Sequence, residues 1–327
     1  MKSKLLAIPV LLALLPACGG GGGSSDARIE SLTVPSPALG DNLLGDRAEG
    51  HLTVLLPPSY AREPDRRYPV VYFLHGFSES ESQIAGWAAA ADAAMRDGQE
   101  MIVVGVQGRN ALGGGFYVNS PVSGRFEDWV VDEAVAAVDS RYRTLAARDF
   151  RGLCGFSMGG FGAVNLALRH PDVYAAVLAM SGGFFADDGL ADALSSWASD
   201  ATFRQAYGAA FAPDPDAPYP HARIPSSANP GTDAVAALWE EGFGDWDEKL
   251  AAYAARTDQL FAIHIQWGEA DSYGWIPPGS AALAGKMQDA GLPVTTRHLG
   301  YTHELPLGEV QRTLLPFFQE HLALPVF

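Results

Sequence analysis

The stretch RGLCGFSMGGFGAVNLALRHPD, Arg151 to Asp172, decides the reading of this chain. An apolar run, Leu153 to Phe156, enters Ser157, and an Ala/Leu-rich run leaves it and stops before Pro171. A strand running straight into a helix, with Gly155 and Gly159 two residues either side of the serine, is the context of a nucleophile elbow. On such a turn the serine backbone is strained, and side chains two residues away would collide. Glycine is therefore required at both places. The alternative, a phosphate-binding glycine loop, needs spacings that are absent here.

Working outward, strand-like and helix-like segments alternate, as in an α/β fold with a mostly parallel sheet. HLTVLLP (51–57), YPVVYFLHGF (68–77), MIVVGVQ (101–107), YAAVLAMSGG (174–183), LFAIHIQWG (260–268) and VTTRHLG (294–300) read as strands. WAAAADAAMRDG (87–98), FEDWVVDEAVAAVDSRY (126–142) and the tail 308–323 read as helices. About 75 residues separate strands 174–183 and 260–268, far beyond an ordinary connection. That insertion, about 185–258, carries Trp197, Phe203, Tyr207, Trp239 and Trp246 and reads as a partly helical cap.

A serine hydroxyl needs a base, and the base needs an orienting acid. In a fold with such an elbow, chain order runs serine, acid, histidine, each on a loop after a strand. That order eliminates His51, His75 and His170. His264 falls inside a strand, His221 in the cap and His321 on the last helix. Of the remaining two, His298 lies within the last strand and His303 on the loop beyond it, which suits a base. The acid is Asp271 or Glu269; the G-x-x-D spacing puts Asp271 past the turn and favours it. An oxyanion needs two backbone donors. The Met158 N–H follows the nucleophile, and the Phe77 N–H follows Gly76 in the loop after YFLHGF. His75 reads as a brace for that loop. Phe116, Tyr117, Tyr273 and Trp275 read either as lining for an apolar or aromatic pocket, or as packing between cap and body.

The first residues, MKSKLLAIPVLLALLPACGGGGGSSD, have a positive start and a short apolar run, as a secretory signal does. Leu15, Ala17 and Cys18 resemble a lipobox, with Cys18 the lipidated residue and a Gly/Ser tether behind it. The expected organisation is a signal peptide (1–17), a tether (18–26) and one catalytic domain (27–327). The other cysteine, Cys154, lies in an apolar strand and reads as a buried small hydrophobe. The 327 residues are 48% hydrophobic, ample for one large core. A net charge of −16 argues against a nucleic-acid partner. No motif suggests a metal or an organic cofactor.

Together these segments resemble the putative-esterase family of α/β-hydrolases, which includes esterase D-like enzymes, feruloyl and acetyl esterases and the antigen 85 acyltransferases. The carriers are LPPSY, RRYPVVYFLHGF, FYVNSPVSGRFEDWVVDEAVAAVDSRYRT, GFSMGGFGAVNLALRHPDVYAAVLAMSG, WGEAD and GYTH, spanning roughly residues 50 to 305. The resemblance implies an α/β-hydrolase fold and hydrolysis of carboxylic esters through an acyl-enzyme, with Ser157, Asp271 and His303 as the triad. It leaves two other readings open: acyl transfer to a sugar or lipid alcohol, and a non-catalytic binding module. Many relatives carry an aromatic two residues after the histidine; here Glu304 and Leu305 follow. Gly19, rather than Asp, after the lipobox cysteine implies an outer-membrane or cell-surface lipoprotein, with a soluble exported protein as the alternative.

Overall fold

A computed structural model describes residues 27–96 and 98–323 and the backbone of Leu12–Ala13. Cys18 and the Gly/Ser tether lie outside the described residues. The frame is a nine-stranded sheet: β1 Leu12–Ala13, β2 Arg28–Pro35, β3 Glu49–Leu56, β4 Val70–Leu74, β5 Ile102–Val106, β6 Arg151–Phe156, β7 Ala176–Met180, β8 Ala262–Gly268 and β9 Val294–Leu299. The spatial order is β1-β2-β3-β5-β4-β6-β7-β8-β9. The first four in that order pair antiparallel; from β5 onward every pairing is parallel.

Strands buried on both faces read as unbroken apolar runs, and β4 (VVYFL) shows why. Val70, Tyr72 and Leu74 enter the core on one face, while Val71 and Phe73 enter the core on the other. The second face is covered by helix α1 (Ala88–Met95) and the C-terminal helical segment that ends in α9 (Leu315–His321). The first face holds α2 (Val135–Arg141), the π-helical stretch before it, α3 (Met158–Arg169) and the insertion. Cys154 is buried against the second face, and burial pushes its thiol pKa up. This is the inert setting expected of a core cysteine.

The insertion is built from four helices, α4 (Leu190–Ser196), α5 (Ala201–Phe211), α6 (Ala234–Phe243) and α7 (Trp246–Ala254); α8 (Ile276–Asp289) follows β8. Rings knit the insertion to the body. Phe116 lies 4.5–7 Å, the range of attractive ring pairs, from Phe77, Phe203, Tyr207, Phe211 and Phe243. Asp233 caps α6 through the Val235 and Ala236 amides and also gathers the Ser226 and Ser227 amides, pinning the preceding loop.

Phe116 and Tyr117 therefore do not line a pocket. Both are fully buried, on two consecutive residues with φ of 54° and 58° that turn their rings inward. Packing between cap and body applies to Phe116, Tyr117 packs within the body against His75, Gly108 and Gly162, and the pocket reading applies to Tyr273 and Trp275.

The parallel register brings the carboxyl ends of β4, β6, β7, β8 and β9 to one edge of the sheet, where open α/β sheets hold ligands. The loops carrying Gly76, Ser157, Gly182, Asp271 and His303 all leave from that edge.

Candidate active site

Ser157 stands between β6 and α3 with φ 55° and ψ −119°, a conformation reached by a residue that the surroundings force. Its amide donates to the Met180 carbonyl at 3.0 Å. The flanking glycines are a steric necessity. A Cβ on Gly155 would sit 2.0 Å from the Gly159 carbonyl oxygen, and one on Gly159 would sit 1.9 Å from that of Leu74. Helix and strand approach so closely that only hydrogen fits between them.

Three side chains meet there from loops far apart in sequence. His303 Nε2 is 2.9 Å from Ser157 Oγ, and His303 Nδ1 is 2.9 Å from Asp271 Oδ2. A carboxylate accepts only, so Nδ1 carries the proton and Nε2 is free to take one from the serine. The Asp271 side chain is fully buried, and the His303 side chain is 13% exposed. The second carboxylate oxygen of Asp271 accepts from the Tyr273 amide at 2.9 Å. The imidazole is held between two rings, Phe156 at 4.9 Å and Tyr273 edge-on at 4.8 Å.

The other acid–histidine pair goes elsewhere. Glu269 Oε1 and His298 Nδ1 bond to each other at 2.5 Å, with both side chains more than half exposed. The structure thus brings Asp271, not Glu269, to Ser157.

Met158 and Phe77 both line the same cavity as Ser157, and neither amide donates a hydrogen bond to another described residue. That leaves two adjacent donors available to an oxyanion, one of them at the positive end of α3. The cavity is about 190 Å³ and is walled by Trp197, Phe203 and Phe243 of the insertion together with Phe77, Tyr273 and Trp275. Composition alone assigns Trp197 and Phe203 to a cap, without bringing them to the nucleophile. Phe156, between Gly155 and Ser157, reads in sequence only as the end of a strand. Its place in the elbow is the signal that puts it beside whatever base reaches the serine.

The sequence profile of the Esterase family, described as Putative esterase, matches residues 47–290. The chain belongs to this family. An esterase of Mycobacterium tuberculosis (strain ATCC 25618 / H37Rv), named Esterase Rv1288, is 26% identical over 280 residues, covering 80% of this chain and 52% of that protein. The chain thus spans about half the length of the curated relatives it matches. Among solved structures, an S-formylglutathione hydrolase from Agrobacterium tumefaciens superposes with a TM-score of 0.64 at 17% identity, covering 92% of this chain and 98% of the other. A CE1 ferulic acid esterase from Anaeromyces mucronatus, in complex with ferulic acid, gives 0.58 at 17% identity, with 93% and 94% covered. These neighbours share the α/β-hydrolase fold seen in this esterase-family chain.

Proposed function

We propose that this chain is a serine carboxylesterase working through an acyl-enzyme. One observation carries the reading: an elbow serine at φ 55° with its Oγ 2.9 Å from an imidazole whose other nitrogen is 2.9 Å from a buried carboxylate. Ser157 attacks the ester carbonyl while His303 takes its proton. Asp271 holds the Nδ1–H tautomer and stabilises the imidazolium. The Phe77 and Met158 amides receive the oxyanion; one such donor is worth about 10²–10³ in kcat. His303 then protonates the leaving alcohol, and water repeats the sequence on the acyl-enzyme. The aromatic walls favour an apolar or aromatic acyl group. A fold neighbour is named for ferulic acid, an acid of that kind.

The test is hydrolysis of p-nitrophenyl esters from acetate to long chains plus an aromatic acid, with Ser157→Ala alongside. Turnover that falls at least about 10³-fold in the variant supports the reading. Equal rates in both would overturn it. Adding an alcohol acceptor and finding ester exchange faster than hydrolysis would reassign the chain to acyl transfer.

The positive, apolar leader and the LLPAC junction further support export with a lipid on Cys18, anchoring the enzyme at the outer membrane or cell surface. Labelling with a radioactive fatty acid that disappears in Cys18→Ser is the expected result; unlabelled wild type removes the anchor.

A further inference from the structure

We infer that His75 is a positioning residue of the oxyanion hole, fixing the direction and donor strength of the Phe77 N–H through the carbonyl of Gly76. The inference rests on the esterase reading.

The two candidate oxyanion donors are built alike. Each amide belongs to a peptide group whose carbonyl points the other way, because a trans peptide is planar and sets C=O and N–H antiparallel. Fixing the carbonyl therefore aims the N–H. The Met158 N–H shares its peptide with the Ser157 carbonyl, which accepts from the Phe161 amide at 3.1 Å and the Gly183 amide at 3.3 Å. The Phe77 N–H shares its peptide with the Gly76 carbonyl, which accepts from His75 Nδ1 at 2.7 Å and the Glu79 amide at 3.2 Å. Of these four restraints only the His75 bond comes from a side chain.

That side chain has one available tautomer. Its Nε2 accepts from the Gly108 amide at 2.9 Å, so the proton must sit on Nδ1, facing Gly76. The ring is fully buried, its own carbonyl accepts from the Tyr117 hydroxyl at 3.0 Å, and burial pushes its pKa down to about 4. The result is a chain of aligned hydrogen bonds: Gly108 N–H to His75, His75 N–H to Gly76, Phe77 N–H to the oxyanion. Aligned bonds polarise one another. Gly76 adds the close approach, since a Cβ there would lie 2.8 Å from the Glu79 carboxylate, whose Oε2 accepts the Gly76 amide.

Two variants test this in the full chain. His75→Leu removes the donor; His75→Asn returns an amide nitrogen near the Nδ1 position. For His75→Leu, kcat per titrated site should fall about 10–100-fold. Its affinity for an aryl boronic acid, which mimics the tetrahedral intermediate, should fall in parallel, with KM within about threefold. Asn should recover most of both losses. An unchanged kcat per titrated site in His75→Leu overturns the inference, as does Asn performing no better than Leu.

Should His75→Leu not fold, nitrogen NMR of histidine-labelled wild-type chain decides. A neutral Nδ1–H tautomer for His75, assigned as the signals absent from His75→Asn and persisting from pH 5.5 to 8.5, is the expected result. An Nε2–H tautomer overturns the inference. A wild type that cleaves no ester would defeat the esterase reading instead, and the tautomer measurement would still report on His75.

Discussion

Tyr273 holds both His303 and Asp271 at once. Its ring stands edge-on to His303 at 4.8 Å and 84°, and its amide donates to Asp271 at 2.9 Å. An edge-to-face ring pair is worth about 0.5–1.5 kcal/mol, or roughly 2–10-fold in a rate that depends on the imidazole staying in place. Tyr273→Ala should lower kcat by that factor. Tyr273→Phe, which keeps ring and amide, should stay within about twofold. Steady-state kinetics on one preferred ester separates the two.

Asp271 and Glu269 make opposite predictions. Asp271→Asn frees the His303 tautomer and should reduce kcat by about 10⁴. Glu269→Gln breaks only an exposed pair with His298 and should change activity by less than about twofold and stability by under about 1 kcal/mol. Equal losses in the two variants would contradict the geometry.

The elbow has no room for a methyl group. Gly159→Ala would force a Cβ to 1.9 Å from the Leu74 carbonyl. The expected destabilisation is about 3 kcal/mol or more, read by urea unfolding or as failure to accumulate soluble protein.

Two buried histidines make stability depend on pH. Burial pushes both His75 and His264 down to about 4, against about 6.5 in an unfolded chain. Between those values the unfolded state binds more protons. Each contribution is therefore complete above about pH 6.5 and is lost as pH falls through about 4, by up to about 3 kcal/mol per histidine. His264→Gln, which cannot charge, should flatten the decline of Tm from pH 6.5 to 4.

Acyl size should answer to Phe203. This insertion residue lies 4.8 Å from the Phe77 ring and helps wall the cavity. Phe203→Ala should shift the preferred p-nitrophenyl ester toward longer chains and cost about 1–3 kcal/mol of stability, less than a fully buried Phe→Ala. An unchanged chain-length profile would remove Phe203 from the acyl site.

A feature of this fold is legible in the sequence to the extent that its physical cause is local. The elbow is legible because steric exclusion at Gly155 and Gly159 leaves a fixed spacing around Ser157. The sheet is legible where strands are buried on both faces, as in Val70–Leu74. Arg28–Pro35 escapes that reading, being an outer antiparallel strand with a mixed pattern of burial. The hardest choice lies between two acid–histidine sets that lie close together in sequence, 29 and 32 residues apart. Both have the right residues in the right order. Register separates them, since Trp267 pairs with His298 in the parallel ladder and leaves that histidine on the strand, beside Glu269 rather than over Ser157. The cavity walls are illegible because Trp197 and Phe203 arrive from an insertion whose fold is set by long-range ring packing.

Among the described residues β9 is the last strand in the sheet order, pairs only with β8, and has no fully buried residue. The loop holding His303 hangs from it, whereas Ser157 and the Phe77 loop sit on central strands. Sheet margins open more readily than cores. A sub-global opening that peels β9 away would withdraw His303, the proposed general base, while Ser157 and the Met158 and Phe77 amides stay assembled. On warming, catalysis should therefore fade before the molecule melts, and amide exchange should be fastest along the ribbon that carries the proton acceptor.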